Sequence, residues 1–452
     1  MNWFTRLFKK TPPPTSSAPT NIAAKNANIP VEIPGVTPPM SRLKQSLPPV
    51  ELKQFVPLRN LDDAHLAALP RQTLRYAKHS VIFTFDQRTD SVFYLVRGRL
   101  SMQPDSDSSY EIVADTPRAH LPLNSATRCG ATATALDDVL ILEVSIELNR
   151  LWSDHCREST SCVELVDIEL PESLNGHQFF VSFAQAYREN QLRLPSLPDV
   201  ALKLKEAMRK EIGIADAVEI IQLDPPIVAK LIQVANSALY STGNSIHNCH
   251  DAVSRIGLNA TRNLVLGISL KQLFHCKDPA LMKAMQALWR SSLYVSSLSF
   301  VLAQACSRIN PEDALLAGLV ADIGAIPLLH FAEHFPDASP SLEELQASLT
   351  YLRAPVGTLV LHTLGFSETL TGIPPLAENW LYDSGPELTL SDIVMLAKLH
   401  SYFGSGKSRD LPYICSIPAY AKLSEGKLNP DFSLSVLQKA QARVQAAMQL
   451  LS

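Results

Sequence analysis

The chain has 452 residues, of which 46% are hydrophobic and 19% charged; that length holds two or three domains with their own cores, and the composition excludes a fibrous or wholly disordered protein. Seven cysteines without a Cys-x-x-Cys pair exclude a disulfide frame or zinc ribbon and read as buried thiols in a reducing compartment. The net charge of −4 is uneven: the first fifty residues hold six Lys/Arg against the single acid Glu32, so the rest carries about −9, a sign that argues against nucleic acid as a partner.

Met1 to Lys10 places Trp3, Phe4, Leu7 and Phe8 opposite Arg6, Lys9 and Lys10, a candidate weak contact for a membrane surface or a partner groove. Residues 11–49 hold ten of the 32 prolines, so residues 1–49 are predicted to be a disordered tail. Order is expected from Val50. Leu61 to Leu69 reads as a short capped helix, after which the period falls to two, with strand-like runs at Val81–Phe85, Val92–Met102, Tyr110–Val113, Ala131–Leu136 and Val139–Val144. Short strands at close spacing predict a small β-roll over residues 50–155. Residues 156–190 read as a helical connector with the aromatic stripe Phe179, Phe180, Phe183 and Tyr187.

Within the roll, Phe93-Tyr94-Leu95-Val96-Arg97-Gly98-Arg99-Leu100 resembles a hairpin of cyclic-nucleotide-binding domains, and Ala131 to Leu140 resembles the strand pair after their phosphate cassette. The resemblance implies a Gly-rich turn, an Arg on the phosphate and a Glu on the ribose. Thr116 to Gly130 departs from it: there is no Gly-Glu pair, and Pro117 and Pro122 each remove a backbone donor. Arg128, offset by one residue, is the candidate ligand. The roll is therefore expected to be an input or dimerisation unit, with a cyclic-nucleotide sensor as an alternative.

Residues 191–385 read as helices set by strong punctuation. Leu194-Pro195-Ser196-Leu197-Pro198 pins the start of a helix over 199–209, whose Lys203, Lys205, Arg209 and neighbouring Lys210 read as a solvated face. Asp224-Pro225 is a capping residue before Pro at the first helical position, and Ile227, Leu231, Val234 and Ala238 form one buried stripe. A helix from Asp251 stops at Gly257, and Asn259 is expected to cap the next, which is apolar on most sides. With Ala235-Asn236-Ser237, Ala252-Val253, Ile256-Gly257 and Asn263-Leu264-Val265, these words resemble the HDOD domain, an all-helical relative of the HD metal-dependent phosphohydrolases. The fold class is thus multidomain α+β: a small β-roll followed by an all-α HDOD domain, with a helical extension over 386–452. Asn236, Ser237 and Tyr240, at the end of their helix, cap it or form a candidate interaction surface.

The same resemblance frames the chemistry. An HD phosphohydrolase needs a His, then a His-Asp pair, then a further Asp around a divalent metal, which makes a hydroxide nucleophile from water. Here Leu315 to Val320 is followed by Ala321-Asp322-Ile323-Gly324-Ala325, with Ala321 at the His position, and Ser291 stands where the first His would be. Only the remnant Asp322 survives, and one carboxylate does not hold a catalytic metal. His330-Phe331-Ala332-Glu333-His334 matches a short zinc-protease string, but it offers no identifiable third ligand and reads as a surface pair. The expected protein is a non-catalytic cytoplasmic regulator without metal or cofactor, acting through protein partners, with a homodimer formed through the roll as one arrangement; a metal-dependent phosphohydrolase or phosphodiesterase is the alternative.

Overall fold

A computed structural model describes residues 35–423 except 43–46, 105–108, 126, 162–176, 190, 193, 195, 209, 238–239, 241–242, 307, 336–339 and 403–410. The amphipathic stretch at residues 1–10 and the C-terminal helix read over 433–451 lie outside the described residues.

The β-rich part consists of two four-stranded antiparallel sheets. One runs β1 (Ser41–Arg42), β2 (Arg71–Tyr76), β8 (Val139–Ser145), β4 (Ser91–Arg97); the other β3 (Val81–Phe83), β7 (Thr132–Ala135), β5 (Arg99–Gln103), β6 (Tyr110–Val113). The run read as one strand from Val92 to Met102 is two, broken at Gly98. That residue sits at φ +91°, and a Cβ there would come within 2.8 Å of Asp137 Oδ1 and the Asp138 carbonyl, so only glycine turns the corner between sheets. Period-two alternation then buries both faces of β4. Phe93 and Leu95 join Leu100, Met102 and Ile141 between the sheets, while Val92 and Tyr94 pack with Phe55, Leu58 and Leu66 beneath the helices α1 (Pro49–Leu52) and α2 (Asp63–Ala68). Asp62 caps α2 through the His65 N–H at 2.7 Å.

Order begins upstream of the expected Val50. Thr37 and Met40 donate to the Val81 and Arg75 carbonyls, both at 2.8 Å, and Ser41 pairs with Arg75. This strand and β2 escape a hydrophobicity reading because Arg71, Gln72 and Arg75 dilute the pattern; Thr73, Leu74 and Tyr76 are the buried positions.

The helical part follows α3 (Glu147–Ser161) and α4 (Gln178–Arg188). It comprises α5 (Asp199–Met208), α6 (Ile214–Ile221), α7 (Pro225–Ala235), α8 (Cys249–Ile256), α9 (Leu258–Leu270), α10 (Pro279–Cys306), α11 (Pro311–Val320), α12 (Ala325–Glu333), α13 (Leu342–Thr363), α14 (Glu368–Thr371), α15 (Ile373–Leu376), α16 (Leu390–Ser401) and α17 (Pro418–Ala421). The aromatic stripe of α4 is fully inside, Phe179 and Phe183 each edge-on to Phe331. Asp224 caps α7 through the Ile227 N–H at 3.2 Å. Asn248 caps α8, and Gly257, at φ +89°, both ends α8 and opens α9, which leaves Asn259 inside α9 rather than at its cap. Lys205 departs from its expected solvated face: its ammonium reaches the Leu364 carbonyl and, at 3.0 Å, the Gly365 carbonyl, neutralising the C-terminal end of α13.

Small residues bring the central helices together. A Cβ on Gly318 would lie 2.7 Å from Ser296 Cα, and Ser296 Oγ donates to the Leu315 carbonyl at 2.5 Å, so α10 and α11 approach at backbone range. The stretch Pro311–Glu333, long and apolar enough to cross a membrane, is buried in this core. Six free cysteines are described; five are buried and Cys306 is half-buried.

Candidate functional site

The remnant Asp322 lies in the turn between α11 and α12, where α10, α13 and α16 converge. Gly324 makes this possible: a Cβ there would stand 2.1 Å from the Arg353 carbonyl, so glycine lets the turn press against α13 and delivers Arg353 to Asp322. Arg353 Nη1 lies 3.2 Å from Asp322 Oδ1 and 2.5 Å from Glu378 Oε1. Lys398, from the last turn of α16, places its ammonium on Asp322 Oδ2 and 3.7 Å from Glu378 Oε1. The Tyr402 hydroxyl donates to Glu378, and its ring stands 5.3 Å from the Lys398 ammonium.

Two carboxylates and two cations thus form one neutral cluster. Lys398 and Asp322 are almost fully buried, with side chains 3% and 5% exposed. Burial raises the Glu378 carboxyl, but the Arg353 hydrogen bond and the charges of Arg353 and Lys398 outweigh it and hold its pKa below the ordinary carboxylate value. Burial likewise disfavours the charged form of Arg353, and Asp322 and Glu378 more than restore it, so its pKa ends above the usual value. Burial, then the Glu378 charge, raises the Tyr402 hydroxyl. These groups line a cavity of about 260 Å³ together with Ser291 and apolar side chains including Leu288, Leu328 and Leu349.

The structure therefore brings Ser291 and Asp322 to one cavity, with Ala321 buried next to the carboxylate. The donor set does not fit a divalent metal. Both Asp322 oxygens face this chain's own cations, Ser291 and Ala321 supply no imidazole, and a dication about 4 Å from an ammonium would be repelled by on the order of 8 kcal/mol at an effective dielectric of about 20.

The other residues singled out in the sequence serve their own segments. Arg128 Nη2 pairs with Asp86 at 3.0 Å, and its carbonyl accepts from Ser125 Oγ at 2.8 Å. The Asn236 side chain grips Ile246 on both sides, donating to its carbonyl at 2.7 Å and accepting from its N–H at 2.8 Å. Ser237 Oγ donates to the Val234 carbonyl at 2.7 Å, and the Tyr240 hydroxyl reaches Glu312 at 3.4 Å.

The segment read from Thr116 as a cassette faces the helical part. Arg118 lies 4.5 Å above the Tyr413 ring and donates to its hydroxyl at 2.5 Å. Tyr110 stacks on Tyr413 at 3.7 Å, and a Cβ on Gly130 would meet the Cys415 carbonyl at 2.3 Å. Trp152 and Ser153 of α3 bond Asn379 and Asp383.

The family model described as HDOD domain matches residues 194–371. The chain carries an HDOD domain. The helical fold is similar to a crystal structure from Shewanella amazonensis SB2B provisionally named a metal-dependent phosphohydrolase, with 26% identity and a TM-score of 0.52 over 61% of this chain and 98% of that one. A protein of Treponema pallidum (strain Nichols), described as uncharacterized, is 24% identical over 156 residues; the match spans 34% of this chain and 29% of that relative. A structure from Geobacter metallireducens GS-15 provisionally named a cyclic nucleotide-binding protein matches with 16% identity and a TM-score of 0.21 over 26% of this chain and 89% of that one.

Sequence reasoning missed the two partners of Asp322, Arg353 and Lys398, and the Glu378 and Tyr402 groups that pack against them. One signal was available. Lys398 interrupts the run Ile393 to Leu399, where a solvent-facing lysine would sit among polar neighbours.

Proposed function

We propose that this protein is a non-catalytic regulator of signal transduction in the cytoplasm, acting through protein partners of its HDOD domain. The observation that carries the reading is the internal cation pair: Lys398 and Arg353 occupy the two oxygens of Asp322, the one carboxylate retained from the metal-binding pattern. A centre closed by its own salt bridges holds five side chains from separate parts of the fold in fixed register, a structural use of the one carboxylate that matches the HD pattern. The roll acts as the input or dimerisation unit. Its contacts through Tyr110, Arg118 and Trp152 reach Tyr413 and Asn379, which lie on either side of α16, and hence of Lys398, in the sequence.

The full-length chain supplied with Mn²⁺, Mg²⁺ or Zn²⁺ is expected to hydrolyse a phosphodiester probe such as bis(p-nitrophenyl) phosphate no faster than its Asp322→Ala variant. Turnover lost on Asp322→Ala would overturn the reading and return the chain to the phosphohydrolases.

A further inference from the structure

Apart from the Asp322 cluster, three electron-pair donors converge where the loop after α9 meets the end of α12. His330 and Glu333 lie one turn apart on the same helix face, and Cys276 reaches them from the loop. Cys276 Sγ is 4.0 Å from His330 Nδ1, and His330 Nδ1 is 3.9 Å from Glu333 Oε2. The three donor atoms all fall within 4.8 Å of one another. The thiol is buried, whereas the imidazole and carboxylate are 27% and 16% exposed.

The surrounding bonds aim these atoms at one another. His330 Nε2 lies 3.3 Å from the Leu273 carbonyl, an acceptor that requires the ring proton on Nε2 and so turns the Nδ1 lone pair towards Cys276 and Glu333. Glu333 Oε1 accepts the backbone N–H groups of Lys277 and, at 3.1 Å, of Asp278, which leaves Oε2 facing the imidazole. His334 bends its Nδ1 back to the His330 carbonyl at 2.8 Å and stays outside the cluster. A lone pair and a carboxylate oxygen facing each other beside a thiol form a donor set that a cation can bridge.

The geometry points to a zinc-class divalent cation site formed by Cys276 Sγ, His330 Nδ1 and Glu333 Oε2, with a fourth position open to solvent. Zinc bonds of about 2.3 Å to sulfur and about 2.0–2.1 Å to nitrogen or oxygen set tetrahedral donor separations of about 3.3–3.6 Å, so the Cys276–His330 and His330–Glu333 edges must each shorten by about half an ångström and the third edge by at most about 1.2 Å. Thiolate and carboxylate balance the dication, the imidazole stays neutral, and the thiol proton leaves to solvent on binding. Sulfur and imidazole together select zinc or cobalt over magnesium and calcium. The bound ion would fasten the loop around Cys276 to α12. The set takes His330 and Glu333 from the His-x-x-Glu-His string and adds Cys276 from the loop, and no residue of the Asp322 cluster takes part.

The test is cobalt titration of the chelator-treated full-length chain, read by absorption. The expected result is one Co²⁺ per chain with a thiolate-to-cobalt charge-transfer band. Zinc should displace it, Cys276→Ala should abolish the band, and His330→Gln should weaken binding at least tenfold, while Asp322→Asn leaves both unchanged. If Cys276→Ala fails to fold, Glu333→Gln and His330→Gln give the same reading with the thiol in place. A wild-type chain without the thiolate band, or a stoichiometric metal that survives Cys276→Ala, would overturn the proposal.

Discussion

Replacing Lys398 with Met tests the buried cluster most sharply, because the side chain keeps its approximate length and loses only its charge. Asp322 Oδ2 then faces a thioether inside the core, and the carboxylate retains Arg353 at 3.2 Å on its other oxygen. Removing one member of a buried ion pair typically costs about 3–5 kcal/mol; with Arg353 still in place the lower end applies, about 3 kcal/mol. At about 2–4 °C per kcal/mol for a domain of this size, the helical transition should fall by roughly 6–12 °C. Urea unfolding followed by circular dichroism measures the loss. Lys398→Met combined with Asp322→Asn removes both charges and leaves Arg353 with Glu378, so the double variant should recover at least about 2 kcal/mol relative to additivity. A Lys398→Met protein within about 0.5 kcal/mol of the parent, or strictly additive costs in the double variant, would refute the reasoning.

Asn236→Ala removes both side-chain bonds to Ile246 and should cost about 1–2 kcal/mol in chemical unfolding, whereas Tyr240→Phe, losing one long bond to Glu312, should cost less than about 1 kcal/mol. Burial pushes His400 down to about 4, so between pH 6.5 and 5 the unfolded chain takes up a proton that the folded chain refuses. Stability should therefore decline as pH falls through that window and be level above pH 7. His400→Gln should flatten the decline by at most about 2 kcal/mol, less the screening of a partly exposed ring; an unchanged slope in melting temperature would contradict this. Cyclic AMP and cyclic GMP should leave the melting temperature of the full-length chain unchanged because Arg128 is engaged by Asp86, and a stabilisation that disappears in Arg128→Ala would reverse that expectation.

The architecture was legible where punctuation and period agree. Asp62 and Asp224 cap the helices that follow them, and Tyr110–Val113 is a strand with the expected bounds. Ser291 and Asp322, singled out in the sequence, line one cavity, and Ala321 is buried beside the carboxylate. What could not be read was the set of side chains around Asp322. Lys398 meets Asp322 across 76 residues, and neither local period nor a motif encodes a contact between helices that become neighbours only after packing. The same holds for Cys276, which joins His330 across 54 residues. Strand β2 was missed because its core side carries Thr73 among charged neighbours, so burial there depends on pairing with β8 rather than on composition.

The most direct measurement is anomalous diffraction at the manganese edge from crystals of the full-length chain soaked in Mn²⁺. The expected map has no anomalous peak at Asp322, with the Lys398 ammonium seated on the carboxylate. A peak about 2.0–2.3 Å from an Asp322 oxygen, with Lys398 displaced, would contradict the proposal that this centre has exchanged a metal for its own cations.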